Sequence, residues 1–137
     1  MLGTAIVLAT EAHRNQKDKA GEPYILHPLR IMGQLKSEES KIVGVLHDVV
    51  EDTSYTLDDL RHAGFGETII NAIESVTKKK GESYEAFIRR ARTNPIGCKV
   101  KIADLKDNLN LGRLRKVAKE DLERVAKYGR ALEVLAG

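Results

Sequence analysis

The stretch Ser37-Glu38-Glu39-Ser40-Lys41-Ile42-Val43-Gly44-Val45-Leu46-His47-Asp48-Val49-Val50-Glu51-Asp52 carries two signals at once: the cap and apolar density of a buried helix, and four ionisable side chains at its far end. Ser37 is a favoured N-cap, and Glu38 and Glu39 sit where the helix dipole welcomes negative charge. Ile42, Val43, Val45, Leu46, Val49 and Val50 give broad burial, which predicts one central helix running through to the acidic end. An imidazole or carboxylate buried there without a partner would cost roughly 2–7 kcal/mol as a polar group and more as a charge, so His47 and Asp48 need compensation. Side chains one residue apart on a helix diverge by about 100°, yet a long imidazole and a carboxylate at a helix edge can still converge on one ion. Glu51 and Asp52 follow at i+4 on the same edge. Salt bridges and a core hydrogen bond would account for an isolated His-Asp pair; His-Asp-x-x-Glu-Asp set among valines favours a site.

Outward from this helix the apolar residues recur at helical spacing and seldom alternate as strands require, so the fold class is all-α. A helix is predicted from about Leu2 to Asn15, then a polar loop from Lys17 to Glu22 ending at Tyr24-Ile25-Leu26-His27-Pro28. Proline suits a first helical turn, which predicts a short helix from Pro28 to about Leu35 with His27 at its entrance. Thr56 with Asp59 resembles a capping box for a helix stopping at Gly64-Phe65-Gly66. Further helices are predicted from about Glu67 to Val76, after the cap Ser83, after Pro95 and centred on Val100 to Leu109, and from about Ala118 to Leu135. No repeat, low-complexity run or long linker divides the chain, so residues 1–137 read as one compact multi-helix bundle.

At 137 residues the chain can bury a real core, and 42% hydrophobic with 31% charged residues is the balance of a soluble globular protein. No apolar run is long enough to span a bilayer and no leader pattern opens the chain, so a cytoplasmic protein without membrane contact is expected. The lone Cys98, among Ile96, Val100 and Ile102, reads as a small buried hydrophobe. A net charge of +3 from 23 basic and 20 acidic residues is mild: it suits an anionic small molecule and disfavours nucleic acid as a partner. His13, in a basic stretch, and His62, beside Arg61, read as solvated or minor hydrogen-bonding groups.

A second acidic helix complements the first. Lys101-Ile102-Ala103-Asp104-Leu105-Lys106-Asp107-Asn108 places Asp104 and Asn108 four residues apart on one face. Asp104 and His27 join His47 and Asp48 as a set of two imidazoles and two carboxylates, which suits Mn²⁺, Fe²⁺ or Zn²⁺ better than Ca²⁺ or a thiolate-bound zinc. A divalent ion with open positions lowers the pKa of bound water and makes hydroxide available near neutral pH, so hydrolysis is the expected reaction class.

Four blocks in order, His13-Arg14-Asn15-Gln16-Lys17, Gly21-Glu22-Pro23-Tyr24-Ile25-Leu26-His27-Pro28, Leu46-His47-Asp48-Val49-Val50-Glu51-Asp52-Thr53, and Lys101-Ile102-Ala103-Asp104 with Asn108, resemble the HD superfamily of metal phosphohydrolases. Within it the resemblance is to the hydrolase domain of Rel/SpoT alarmone enzymes and their small stand-alone relatives, over nearly the whole chain. It implies hydrolysis of the 3′-pyrophosphate of (p)ppGpp to GDP or GTP and pyrophosphate, with Mn²⁺ as the usual metal and a nucleotide as the anionic partner. It also implies metal ligation by His27, His47, Asp48 and Asp104, water orientation and proton handling by Glu51 and Asp52, and nucleotide contact by Asn108. Lys17, Lys19 and Lys101 are expected toward the phosphates or base.

Two positions depart from that pattern: Asp18 stands where such hydrolases commonly carry a base-stacking arginine, and Asn110 where an arginine often follows the Asn-x motif. Aspartate neither stacks on a base nor grips a phosphate. Another nucleotide or phosphoester is therefore the alternative substrate, and a 137-residue length is expected to leave no room for an alarmone synthetase. An alternative of another class is a basic binding module using Lys78-Lys79-Lys80 and Arg89, Arg90 and Arg92, although such runs are more often solvated faces.

Overall fold

The computed structural model describes residues 1–110 and 116–137, among which nine helices run in the order α1 (Leu2–Ala12), α2 (Leu26–Gln34), α3 (Glu38–Leu46), α4 (Val49–Asp52), α5 (Leu57–His62), α6 (Glu67–Ser75), α7 (Tyr84–Arg92), α8 (Pro95–Asn108) and α9 (Lys119–Ala136). The only β pairing among these residues is a single antiparallel bridge, Lys17 with Pro23, so the all-α expectation holds. The caps form as their side chains dictate: the Ser37 hydroxyl accepts from the Ser40 amide, Ser83 from Ala86 and Asn94 from Gly97, and Thr56 with Asp59 closes a reciprocal capping box. Gly64, at φ +102, turns the chain out of α5 in a region closed to most L-residues.

Helix α3 is the hub, packed on α1, α2, α6 and α8. Its residues Ile42, Val43, Val45 and Leu46 join Ala5, Ala9, Ile31, Ile70, Ile73 and Val100 in one apolar cluster. A second cluster, with Phe87, Ile88, Leu105, Ala131 and Leu135, binds α7 and α9 to the far side of α8. Cys98 packs against this second cluster. Gly44 sets the closeness of α2 to α3, because a Cβ there would stand 2.6 Å from Leu35 Cδ1 and 3.3 Å from Ile31 Cγ2.

The central helix is not continuous. It stops at Leu46 and resumes as α4 at Val49, with His47 and Asp48 in the turn between. The Gly44 carbonyl accepts from the His47 imidazole at 2.6 Å, and Asp48 relaxes to φ −101, ψ −2. Side-chain competition for a helical carbonyl is a known source of such breaks. Across the break His47 Nε2 and Asp48 Oδ2 come within 3.0 Å of each other, although the two residues are adjacent in the chain.

Candidate metal centre

Three segments deliver the four expected donors. His27 lies in the first turn of α2, His47 and Asp48 in the α3–α4 break, and Asp104 on the inner face of α8. One donor atom from each lies within 4.8 Å of the others. His27 Nε2 is 2.9 Å from Asp104 Oδ1 and 3.8 Å from Asp48 Oδ2; His47 Nε2 is 3.0 Å from Asp48 Oδ2 and 3.4 Å from Asp104 Oδ1. His27, His47 and Asp104 are buried and Asp48 nearly so.

The tautomers follow from what lies behind each ring. His47 Nδ1 faces the Gly44 carbonyl, which can only accept, so Nδ1 carries the proton. His27 Nδ1 donates to Asp107 Oδ2 at 2.6 Å. Both Nε2 atoms are thereby left to the shared centre. His47 Nε2 is fully buried, and no neighbour is aligned to share a hydrogen bond with it, close as the carboxylates are. An orphaned imidazole nitrogen among two carboxylates and a second imidazole fits a divalent cation, whose ligands each stand about 2.0–2.2 Å from the ion.

Charge is balanced inside the cluster. Burial pushes His47 toward neutrality, but the negative charge of Asp48 and Asp104 outweighs it and holds the imidazole well above its ordinary pKa. Burial likewise opposes charge on His27, and its bonds to Asp104 and Asp107 carry it above the usual value. Asp104 is held low against burial by Lys101 and both histidines. Protons and a metal therefore compete for the same nitrogens.

A further ring of residues, which sequence reasoning did not single out, orients the donors. Arg30 grips Asp107 with Nε on Oδ1 at 2.9 Å and Nη2 on Oδ2 at 3.0 Å, so Asp107 is clamped between a guanidinium and the His27 ring. The Tyr24 hydroxyl donates to Asp48 Oδ2, and burial with the Asp48 charge raises its pKa and keeps it a donor. The signal for Asp107 and Arg30 lies at i+3 from Asp104 and His27, in the paired helical spacing of α8 and α2.

Lys101, expected toward the phosphates or base, donates its ammonium to Asp104 Oδ2 at 2.7 Å and lies 5.0 Å from the Phe87 ring centre. Asn108 donates to Asp104 Oδ1 at 3.1 Å. Both also line a cleft of about 330 Å³ that opens onto the cluster, with Glu51, Asp52, Lys78, Lys127 and Tyr128 around its mouth. Glu51 Oε1 accepts from the Lys78 amide at 2.7 Å. Asp52 is pushed up to about 6 by burial and by the neighbouring charges of Asp48 and Glu51. Lys17 and Lys19 are exposed and do not line this cleft. Asp18 spends its carboxylate on its own loop, accepting from the Ala20 and Glu22 amides at 2.9 and 3.0 Å.

Two smaller expectations are corrected. His13 is not solvated: it is buried under the Tyr24 ring, with Nδ1 bonded to Gln16 Oε1 at 2.9 Å, because α1 packs into the core that the sequence stretch around it conceals. Arg90 does not belong to a free basic face, since it pairs with Glu82 and donates to the Glu74 and Thr77 carbonyls, tying the α6–α7 connection together.

A family model described as an HD domain matches residues 5–125. The chain belongs to the HD-domain family. Membership implies dependence on a divalent metal, and the His27, His47, Asp48 and Asp104 cluster is where this HD domain carries donors suited to one. Among curated relatives, the guanosine-3′,5′-bis(diphosphate) 3′-pyrophosphohydrolase of Aquifex aeolicus is 32% identical over 148 aligned residues, covering 95% of this chain and 21% of that protein. A GTP pyrophosphokinase of Streptomyces coelicolor is 36% identical over 130 residues, covering 85% of this chain and 15% of that one. This chain thus spans about a fifth or less of the length of either. A solved structure described as a metazoan ortholog of SpoT that hydrolyzes ppGpp superposes with a TM-score of 0.79 at 24% identity, over 99% of this chain and 85% of that one, which establishes the shared fold. No helix among the described residues is long and apolar enough to cross a membrane.

Proposed function

We propose that this HD domain hydrolyses the 3′-pyrophosphate of (p)ppGpp, yielding GDP or GTP and pyrophosphate, with Mn²⁺ as its metal held by His27, His47, Asp48 and Asp104. The observation that carries the reading is the orphaned His47 Nε2 inside a buried two-imidazole, two-carboxylate cluster at the floor of a charged cleft. A relative named for the 3′-pyrophosphohydrolysis of guanosine-3′,5′-bis(diphosphate) supports the substrate. When bound, the cation supplies Lewis acidity and a water of lowered pKa.

The chain's own residues do the rest. Asp107 and the Gly44 carbonyl hold both imidazoles with Nε2 inward, and Lys101 and Asn108 hold Asp104. Asp52, half-desolvated at the mouth of the cleft, accepts a proton from the attacking water once it is ionised, which its pKa of about 6 allows at neutral pH. Glu51 is fixed by the Lys78 amide and orients that water, while Lys78 and Lys127 offer positive charge to the phosphates at the cleft mouth. Asp18 does not line the cleft, and its Oδ1 is held by two amides of its own loop. The test is incubation of purified chain and Mn²⁺ with ppGpp: pyrophosphate and GDP in equal amounts support the reading, and turnover of other nucleotides but not of ppGpp overturns it.

A further inference from the structure

Behind the cleft, a groove of about 380 Å³ runs between α7 and α9. Its floor is apolar, formed by Ile88, Ala131 and the exposed Val134, and its rim carries Arg89 and Arg92 from α7 opposite Lys127 and Arg130 from α9. One acid, Glu85, shares the rim. Four cations and one anion leave a local excess of three, which equals the formal net charge of the entire chain, +3. The formal charges of all other residues cancel.

Helix dipoles account for only half of this basic set. Cations in the last turn of α7 interact well with its dipole, which gives Arg89 and Arg92 a structural role. Lys127 and Arg130 lie in the middle of α9, where no dipole favours them, and like charges three apart on a helix are mildly destabilising. Arg89, Arg92 and Arg130 have no carboxylate partner among the described residues, and residues 111–115 contain no acid. The contrast with Arg90, one position along, is sharp: it makes four hydrogen bonds to Glu82 and to two carbonyls. A groove with an apolar floor, lined by three guanidinium groups that have no carboxylate partner among the described residues, matches a ligand with an apolar body and more than one phosphate charge.

The groove also communicates with the catalytic cleft. Tyr84 and Lys127 line both cavities, and the Lys127 ammonium sits 4.0 Å from the Tyr84 ring centre, forming the wall between them. The Tyr84 hydroxyl is buried with no hydrogen-bond partner, so this wall is not locked by a polar contact.

We infer that the α7–α9 groove is a second ligand site, separate from the metal cluster, for a phosphorylated small molecule of the nucleoside diphosphate class. Occupancy draws Lys127 toward the phosphates and away from the Tyr84 ring, so the site reports to the catalytic cleft through that wall. The groove contains none of the metal donors but shares Lys127 and Tyr84 with the cleft, so its test rests on Arg89 and Arg130, which line the groove alone.

The test is an amide-resolved NMR titration of the chain in excess chelator, which silences metal-dependent binding, using GDP, guanosine, inorganic pyrophosphate and a decaglutamate peptide as probes. The expected result is a GDP-induced shift of the Ile88, Ala131 and Val134 amides, with guanosine and pyrophosphate each weaker by about tenfold or more. The double variant Arg89→Gln with Arg130→Gln, both exposed and so compatible with an unchanged circular dichroism spectrum, should lose GDP affinity by about tenfold or more. Shifts confined to Asp48 and Asn108 in the cleft would overturn the inference, as would GDP affinity unchanged by the double variant. Pyrophosphate binding as tightly as GDP would reduce the groove to an anion patch without apolar recognition, and decaglutamate binding more tightly than GDP would make it a protein-docking surface; either result refutes the nucleotide assignment.

Discussion

Replacing Asp107 by asparagine tests whether the site depends on what stands behind the imidazole. Asp107 Oδ2 accepts from His27 Nδ1 at 2.6 Å and from Arg30 Nη2 at 3.0 Å, while Oδ1 accepts from Arg30 Nε at 2.9 Å. An asparagine has one carbonyl oxygen and one amide nitrogen in the same space. With the oxygen toward His27, its amide nitrogen meets the Arg30 Nε donor; turned over, it meets His27 Nδ1 and drives the proton to Nε2, the atom the metal needs. Either arrangement leaves a buried donor facing a donor, a loss of about 1–3 kcal/mol in stability. Metal affinity should fall by about 10–100-fold, as is typical when a carboxylate behind a ligating histidine is removed, equivalent to about 1.4–2.8 kcal/mol. Arg30→Ala is the companion variant: it removes the guanidinium but leaves the His27–Asp107 bond, so its effect on metal affinity should be smaller. Mn²⁺ competition against a metallochromic chelator measures the affinity and thermal unfolding the stability. A folded Asp107→Asn protein that binds Mn²⁺ as tightly as wild type would refute the orienting role.

Other expectations bear on separate parts of the molecule. Asp48→Ala should abolish both metal content and turnover, whereas Glu51→Ala should keep the metal and lose turnover; equal metal loss in both would refute that division of labour. Asp52 is ionised only above its pKa of about 6, so turnover should fall as pH drops through that value, and Asp52→Asn should remove most of the activity. Gly44→Ala forces a methyl against Leu35 and Ile31 and should destabilise the fold by about 1–3 kcal/mol, read from the denaturation midpoint; an unchanged midpoint would show that α2 and α3 are not in tight contact. Glu82 is held at about 2 by its bonds to Arg90. Because its folded pKa lies below the unfolded one, its contribution is present above about pH 4.3 and vanishes as pH falls toward 2, so wild type and Glu82→Gln should differ in Tm at neutral pH and converge in acid.

The sequence by itself determined the helical elements, because their signals are local. Ser37 and Ser83 mark starts through a hydroxyl and Pro95 through a missing N–H, each acting within one turn, and Gly64 marks a stop through its own backbone freedom. It also determined which residues could not be buried alone, and so which side chains to suspect: His27, His47, Asp48 and Asp104 all fall in apolar surroundings that demand a partner. Only the tertiary structure decided the rest. The break at His47-Asp48 depends on competition for the Gly44 carbonyl by a side chain, which no periodicity encodes. Asp107 and Arg30 become part of the centre only when α2 is laid against α8, across 77 positions of chain, and Lys101 bonds Asp104 while lining the cleft. His13 turns inward and Asp18 folds onto its own loop for the same reason: whether a polar side chain faces water, substrate or protein is decided by which groups arrive beside it, and that is a property of packing rather than of residue type.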